Sequence, residues 1–396
     1  MDIQVIAAVI FVILLAVFVF LKRKNIVLQK LIFPFLYLIL YRSNFGINFM
    51  NKFAKKHKEL IKFFGYSCIG LSIIGMIFIS INIIMMIYQL FTTPTVEAGV
   101  SLVLPFTTVP GIGYLSFIHW IIAIFVLAII HEFAHGIVAK AHDLPIKSSG
   151  FAFFSILLPI IPAAFVEPDE KQLSKKDDVV QYSVFAAGPI INIVFATLIF
   201  LLVMPALNGI ENSMTDPAGL SFDLLNETYP AAQAGMEAGV ITEVNDMQVL
   251  DYDSFLDSIY GVRPGETLNI TTDKGTYSLI TDKSPDNPRK GFIGIMPVKN
   301  ELKVKEKYSL FSGTLYWVKD MFRWLFLLNF FIGLFNLLPL GIVDGGRILK
   351  TLLNRLMTNK KRANKIWGLI SFFFLALLLI GLLTTYFGNP LGFFIK

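Results

Sequence analysis

Residues able to bind a metal ion and to use it in catalysis occur together in the middle of the chain. His131, Glu132 and His135 form the pattern HExxH within a helical stretch. Residues four apart lie on the same face of a helix, so both imidazoles can hold one Zn²⁺. Glu132 projects beside that face, where its carboxylate can take a proton from a water that the metal activates. The pattern therefore predicts metal-dependent hydrolysis.

This motif lies within an apolar run, Tyr114 to Ala141. A charge at the centre of a membrane span costs about 2.5 to 3.5 kcal/mol on insertion scales, so ionisable residues at such positions are functional by default. A chance HExxH match in a structural helix is therefore the weaker interpretation.

A catalytic zinc ion has three protein ligands and one open position, so a third ligand must come from elsewhere in the chain. At a rise of 1.5 Å per residue, His119 and His142 lie about 18 and 10 Å along the helix from the nearer histidine of the pair. His57 belongs to a basic loop. Asp344 is the better candidate. It lies in the segment Asn336 to Gly346, whose proline and glycines end a helix and permit turns that aim a short carboxylate inward. An ordinary helix-ending turn is the alternative for this segment.

The rest of the chain is unusually apolar. Of its 396 residues, 55% are hydrophobic and 16% are charged, whereas soluble proteins average about 25% charged residues. A membrane span needs about 20 apolar residues. Six runs approach or exceed that length: Ile3 to Leu21, Phe63 to Phe91, Tyr114 to Ala141, Tyr182 to Leu207, Leu310 to Leu338 and Trp367 to Phe387. The composition predicts an α-helical multi-span membrane protein with about six transmembrane helices.

The first apolar run and the cysteine content narrow this class further. Lys22, Arg23 and Lys24 follow the first run and no small-residue cleavage site comes after it, so the run is predicted to be a retained helix and not a signal peptide. Cys68 is the single cysteine and lies within a predicted span. It can form neither a disulfide framework nor a thiolate site, so any metal must be bound by histidine and carboxylate.

The basic residues indicate the orientation in the membrane. The net charge is +6, but the charges concentrate in loops and not on one face of a soluble domain, so no nucleic-acid partner is expected. Lys22 to Lys62 carries ten Lys or Arg, Arg347 to Lys365 is also basic, and Thr92 to Gly113 has none. By the positive-inside rule the first two stretches are cytoplasmic and the third is outside. The predicted protein is a multi-pass cell-membrane protein with its metal site toward the cytoplasm.

Two shorter apolar stretches do not qualify as full spans. Leu31 to Tyr41 has 11 residues and contains Pro34, which favours an interfacial or half-inserted segment. Phe151 to Val166 is interrupted by two prolines. Non-helical backbone at membrane depth needs cover from protein or a water-filled cavity, so this stretch is predicted to be a re-entrant hairpin beside the metal site.

Two further polar residues lie in or beside apolar runs. Asn192 ends the pattern GPxxN early in the fourth run and could donate a hydrogen bond to a substrate carbonyl or its developing oxyanion. A buried asparagine joining two helices is the alternative. Glu167, next to Pro168, is interpreted as the return of the hairpin to water, without a catalytic role.

The segment 208–300 differs from the rest of the chain. Between Asn208 and Lys290 there are 14 Asp or Glu and 5 Lys or Arg, and the apolar residues come in strand-length pieces, so a soluble, β-rich, extracytoplasmic domain is predicted. Pro230 to Val249 resembles the core of bacterial-type PDZ domains, although Asp246 replaces the usual glycine. Another small β domain is the alternative. Residues 1–207 and 301–396 then form the two parts of a membrane core.

Taken together, these motifs resemble the site-2 protease family of intramembrane metalloproteases. The resemblance covers most of the chain and comprises HExxH in a span, a GPxxN helix, an inserted PDZ-like domain, and NxxP followed by DGG. It implies that His131, His135 and Asp344 bind zinc, that Glu132 is the general base, and that Asn192 contacts substrate. The tripeptide Gly-Ile-Val precedes Asp344 where many relatives have a second proline and a leucine.

The function that this resemblance implies is zinc-dependent cleavage of a peptide bond in or near a substrate's transmembrane segment, as in regulated intramembrane proteolysis. The expected partners are a transmembrane protein substrate, a peptide or outer substrate segment at the PDZ-like domain, and the lipid bilayer. Two other functions are compatible with the motifs. One is a different HExxH membrane peptidase that attacks loops or lipidated peptides, and the other is a non-enzymatic PDZ-bearing receptor with a structural metal.

Overall fold

The computed structural model describes residues 2–32, 36–93, 99–109, 112–155 and 159–388. Contacts divide the chain into two compact units. One comprises Met1–Met204 and Asp320–Lys396, called here the membrane unit, and the other comprises Pro205–Lys319, called here the inserted unit. The inserted unit extends beyond the predicted limits 208–300 on both sides.

Helices account for most of the membrane unit and for short pieces of the inserted unit. Their bounds are α1 Ile3–Leu21, α2 Ile47–Lys56, α3 Lys58–Thr92, α4 Phe117–Ala141, α5 Glu170–Leu173, α6 Asp178–Leu198, α7 Met204–Met214, α8 Pro230–Gln233, α9 Tyr252–Ser258, α10 Ser309–Phe335, α11 Asp344–Leu356 and α12 Lys360–Phe387.

The strands divide between the two units. Their bounds are β1 Ile26–Ile32, β2 Leu36–Ser43, β3 Thr107–Val109, β4 Gly113–Leu115, β5 Ile146–Ser155, β6 Pro159–Pro168, β7 Thr215–Leu224, β8 Gly239–Val244, β9 Met247–Gln248, β10 Thr267–Thr272, β11 Gly275–Ile280, β12 Asp282–Lys283, β13 Gly291–Phe292 and β14 Ile295–Val304.

Five helical runs among the described residues are long and apolar enough to cross a bilayer. They are α1, α3, α4, the continuous run Asp178–Met214 and α12. Asp178–Met214 consists of α6, a π-helical turn and α7. Helix α10 corresponds to the sixth predicted run, but Lys319, Asp320 and Arg323 fall within every 18-residue stretch of it. Those charges separate α10 from the other five, and a total of six spans stays a prediction.

The membrane unit packs around α4. This helix contacts α2, α3, α6 and β6. Ala139 of α4 and Ala186 and Ala187 of α6 are fully buried. Small side chains allow helix backbones to approach closely, which is the usual basis of helix packing in membranes. The close α4–α6 contact brings the HExxH and GPxxN motifs together.

A four-stranded antiparallel sheet lies beside α4 in the order β1-β2-β5-β6. The described residues of the predicted hairpin Phe151 to Val166 form the greater part of β5 and β6, which pair from Ile146↔Pro168 to Ser155↔Pro159, and residues 156–158 lie outside the described residues. The described residues of the stretch Leu31 to Tyr41, which is predicted to be interfacial or half-inserted, belong to β1 and β2, and β2 pairs with β5. Pro34 lies outside the described residues.

The inserted unit is built on a sheet with the order β11-β10-β8-β7-β14, and β9 also pairs with β8. Leu220, Ile241 and Ile270 form the centre of its core and are at most 1% exposed. Strands β7 and β14 pair from Thr215↔Val304 to Leu224↔Ile295. Beyond this pair, the Lys305 backbone N–H donates to the Met214 carbonyl at 3.0 Å, so the two ends of the β-rich portion lie side by side.

Candidate metal centre

Two histidines of α4 and one aspartate of α11 meet inside the membrane unit. Nε2 of His131 lies 3.1 Å from Nε2 of His135 and 3.1 Å from Oδ2 of Asp344. Nε2 of His135 lies 3.2 Å from the same carboxylate oxygen. Each of the three residues is 8% exposed. Three ligand atoms therefore converge on one point, although Asp344 is 213 residues from His131 in the chain.

The donor set fits a zinc ion. Ligand atoms about 2.0 to 2.1 Å from a tetrahedral centre are about 3.3 Å apart, close to the separations between the three residues. Two imidazoles and one carboxylate are among the combinations that catalytic zinc sites use, and they leave a fourth position open. His131, His135 and Asp344 are also the one group of three potential metal ligands found within the described residues.

The backbone of α6 orients the ring of His135. Its Nδ1 lies 2.6 Å from the carbonyl oxygen of Val184, to which an N–H on that nitrogen donates. With the proton on Nδ1, the lone pair of Nε2 points toward His131 and Asp344. Metal-binding histidines commonly use such a second hydrogen bond to fix the tautomer.

Asn192 contacts His131 from the side opposite the metal site. Its Nδ2 lies 3.2 Å from Nδ1 of His131, and its Oδ1 is buried without a hydrogen-bond partner in the described part of the chain. The two ends of a carboxamide have the same shape, so the amide can turn over. Oδ1 then accepts from Nδ1–H and leaves Nε2 of His131 free to bind a metal. Asn192 is 0% exposed, which places it behind the ligand.

Gly188 makes room for the two imidazoles. A Cβ built on this residue would overlap the Nε2 atoms of both His131 and His135. The residue is inside α6, where glycine destabilises a helix by about 1 kcal/mol relative to alanine. The close approach of α6 to the site explains why glycine occupies this position.

Asp344 is positioned by a tight turn between α10 and α11. The Gly345 N–H donates to the Asn336 carbonyl at 2.7 Å. A Cβ on Gly345 would overlap the Leu337 carbonyl, and one on Gly346 would overlap the Leu340 carbonyl. The carbonyl of Gly346 accepts a hydrogen bond from the Trp367 indole at 2.8 Å. The two glycines therefore let Asp344 begin α11 against the folded-back end of α10.

Glu132 lies beside the three ligands and is held by the hairpin. Its Oε2 accepts a hydrogen bond from the backbone N–H of Val166 in β6 at 2.8 Å. Because β6 ends the sheet, this N–H points away from β5 and toward α4. The Glu132 carboxylate is thus fixed at the junction of the metal centre and the outer edge of β6.

A cavity of about 330 Å³ joins these groups. The potential ligands and Glu132 line it on one side, and Phe165, Val166 and Pro168 of β6 line another. Asn336 and Arg347 also line the cavity, whereas Asn192 does not. Among the described residues the Asn336 side chain makes no hydrogen bond, so its amide can interact with a bound molecule.

Arg347 connects two walls of this cavity. Its guanidinium donates to Glu170 at 2.7 Å and lies 4.4 Å from the centroid of the Phe185 ring. Asn336 and Arg347 were given no role on sequence grounds. Asn336 has the NxxP motif as a local signal, but its side-chain environment depends on residues far away in the chain.

The remaining polar residues named in the sequence analysis lie apart from the three ligands. His119 contacts Ser116, with 2.8 Å between Nδ1 and Oγ, and His142 contacts Ser183, with 3.2 Å between Nε2 and Oγ. Glu167 accepts from Ser148 at 2.7 Å and pairs with Arg42 at 3.3 Å.

Comparison with known proteins finds a matching protein family and a relative of this chain. The model of peptidase family M50 matches residues 119–379, which is about two thirds of the chain and includes all the residues that form the metal centre. A protein of Methanocaldococcus jannaschii described as uncharacterized is 27% identical over 328 residues, covering 81% of this chain and 79% of the relative.

Proposed function

The chain belongs to peptidase family M50, whose members are in general zinc-dependent metallopeptidases, and on this premise we propose that it is an intramembrane endopeptidase of the site-2 protease type. Its substrate is another membrane protein, cut at a peptide bond in or near a transmembrane segment. The observation that carries the proposal is the convergence of His131, His135 and Asp344 beside Glu132, in a chain whose described residues include five potential membrane spans.

Each residue of the centre has a separate task in this hydrolysis. A zinc ion held by the three ligands would supply Lewis-acid activation of water and of the substrate carbonyl. Glu132 receives the proton of the attacking water and passes it to the leaving amine. Its Oε2 is engaged by Val166, so we assign this proton transfer to Oε1. Asn336 donates from its carboxamide to the carbonyl oxygen of the substrate as negative charge develops there.

Asn192 has a positioning task in this scheme. The sequence suggested that Asn192 contacts substrate, but the side chain is fully buried and outside the cavity, whereas Asn336 lines the cavity. We therefore propose that Asn192 orients His131 and that Asn336 contacts the substrate.

The hairpin presents a short backbone surface to an unwound substrate. A transmembrane helix must open before hydrolysis, because its carbonyls are hydrogen-bonded within the helix. The backbone N–H of Val166 points outward from β6. Because backbone direction alternates along a strand, the backbone nitrogens of Pro162, Ala164 and Pro168 also point outward. Proline has no N–H to donate. The Val166 N–H is engaged by Glu132, so the edge of β6 offers a free outward donor at Ala164, two residues before Val166, and we propose that the substrate strand pairs there.

The inserted unit is proposed to be a PDZ-like domain that binds a peptide or an outer segment of the substrate. Strand β14 ends the sheet, and α9 lies against it, with the Tyr252 N–H donating to Asn300 Oδ1 at 2.8 Å. Exposed apolar side chains occur on both elements, including Val298 and Leu256. Gly294, with φ +82°, forms the turn before β14. A sheet edge flanked by a helix is the surface to which PDZ domains add a peptide strand.

We further propose that the cell places the metal centre toward the cytoplasm and the inserted unit outside. This orientation follows from the basic residues of Lys22 to Lys62 and Arg347 to Lys365. The process served is regulated intramembrane proteolysis.

The proposed chemistry is tested by Glu132→Gln in purified protein in lipid nanodiscs. We expect about one zinc per chain by elemental analysis, as in the wild type, and a fall of about 10² to 10⁴ in the rate of cleavage of a transmembrane reporter. A His131→Ala control should lose both zinc and cleavage. Unchanged cleavage by Glu132→Gln would remove the general base from the mechanism.

A further inference from the structure

Helix α2 presents three different faces. Met50 and Ala54 are 0% and 2% exposed and pack against the rest of the membrane unit. Phe49 and Phe53, next to that face, are 54% and 41% exposed, and their rings stack with centroids 5.7 Å apart. The remaining face carries three exposed lysines, Lys52, Lys55 and Lys56. At 100° per residue the faces follow in the order core, phenylalanine, lysine.

Helix α2 lies next to a potential membrane span in the chain. It ends at Lys56, and the potential span α3 begins at Lys58. The backbone leaves helical geometry at His57, where φ is −122° and ψ is 33°, so α2 and α3 are separate helices. Helix α2 therefore directly precedes a potential membrane span.

We propose that α2 is an interfacial helix whose phenylalanine face enters the lipid and whose lysine face binds anionic phospholipid headgroups. An amphipathic helix with aromatic residues on one side and lysines on the other has the composition of helices that lie in a membrane interface. The lysines supply the complementary charge, because each basic residue near an anionic leaflet strengthens binding about fivefold. The helix carries no acidic residue that would oppose this attraction.

This lipid-binding helix also contacts the HExxH turn of α4. Phe49 lies 6.3 Å from Phe133, the residue that follows Glu132, between ring centroids. A Cβ on Gly136, which follows His135, would overlap the sulfur of Met50. One residue within the metal-binding turn and one directly after it thus pack against α2. The depth of α2 in the interface therefore affects the packing of that turn.

The first test measures the depth of the phenylalanine face. A Phe53→Cys variant in a Cys68→Ala background is labelled with an environment-sensitive fluorophore and reconstituted in nanodiscs that contain phosphatidylglycerol. A Tyr260→Cys variant provides the reference, because Tyr260 is 90% exposed in the inserted unit. We expect brominated lipid chains to quench the label at position 53 and aqueous iodide to quench the label at position 260. Equal quenching of both labels by iodide would overturn the proposal.

The second test measures the dependence on lipid charge. Replacing phosphatidylglycerol by phosphatidylcholine should raise iodide quenching at position 53, since the attraction of three lysines to the surface is lost. The triple variant Lys52→Glu, Lys55→Glu and Lys56→Glu should abolish this difference between lipids. A matched triple reversal in the inserted unit, at Lys283, Arg289 and Lys290, should preserve it. A label that is indifferent to lipid charge in the wild type would overturn the assignment to anionic lipid. Neither measurement uses proteolysis, so the result does not depend on the proposed function.

Discussion

Asn192 and Asn336 have different environments at the candidate metal centre. Asn192 is buried behind His131, whereas Asn336 lines the cavity and its side chain makes no hydrogen bond among the described residues. The same residue type thus has a different environment in each position. That difference separates a residue that orients a ligand from one that can contact a substrate.

Substitution of each asparagine by alanine should separate these roles. Loss of an outer partner of a metal-binding histidine typically weakens metal affinity by about 10- to 100-fold, so we expect that change for Asn192→Ala. Asn336→Ala should retain zinc and lower kcat by about 10² to 10³, the usual effect of removing an oxyanion donor. Chelator competition measures the first effect and reporter cleavage at saturating zinc measures the second. The reverse pattern would exchange the two assignments.

Gly188 provides a second test at the residue scale. Gly188→Ala should favour the isolated helix, since alanine has the higher helix propensity. Its methyl group would nevertheless overlap the Nε2 atoms of His131 and His135. We expect loss of zinc binding with the helical content of the protein retained, measured by elemental analysis and circular dichroism. Gly70→Ala is the matched control, because a Cβ at Gly70 meets nothing within 4 Å. Full zinc content in Gly188→Ala would contradict the observed packing.

At the level of elements, local patterns and long-range pairing differed in how well they could be predicted. His131 and His135 share a helix, so their spacing alone predicts a common face. The predicted run Tyr114 to Ala141 largely coincides with α4 for the same reason. The pairing of β2 with β5 joins residues more than 100 positions apart, and no periodicity in either segment indicates it. The contact of Val166 with Glu132 likewise joins a strand to a helix 34 residues away in the chain, and no local pattern predicts it.

The edge of β6 leads to a prediction about substrate binding. Ala164→Pro removes the outward N–H donor of β6 that is near Glu132 and not engaged by it, without affecting the ladder to β5, because this N–H points away from β5. We expect kcat/KM for a helical transmembrane reporter to fall by about 5- to 10-fold, which corresponds to one net hydrogen bond. Zinc content should not change.

Pro162→Ala is the matched control for this strand. It adds an outward N–H outside the proposed window and should leave cleavage at or above the wild-type rate. Equal activity of Ala164→Pro and wild type would show that the substrate does not pair with this edge.

At the scale of the whole molecule, the candidate metal centre and the inserted β-rich fold belong to different units of the chain. Every residue of the candidate centre lies in the membrane unit, and the inserted unit has its own core of Leu220, Ile241 and Ile270. The length and acidity of the segment 208–300 predicted a separate body. Its actual limits could not be read from composition, because α7 and the start of α10 continue helices of the membrane unit into the inserted unit.

The structure offers a specific way to remove this β-rich fold. Met214 and Lys305 are joined by a backbone hydrogen bond of 3.0 Å, so residues 215–304 can be replaced by a short glycine-rich turn without separating the ends of α7 and the segment that leads to α10. We expect this variant to retain one zinc per chain, because none of the potential ligands is removed. It should also cleave a short transmembrane reporter at a rate near that of the wild type.

Substrates with a peptide tail should behave differently, because the proposed site of strand addition at β14 is lost with the deletion. Two point variants that keep the fold make the same comparison. The test variant, Leu256→Glu, puts a charge on the exposed face of α9 beside β14. The control variant, Ile280→Glu, puts a charge on β11 at the opposite end of the sheet. Only the first should raise KM for a tailed substrate while leaving kcat unchanged, since a residue used in binding alone affects KM. A deletion variant with full zinc content and no activity on any reporter would instead show that the inserted unit takes part in the hydrolytic step.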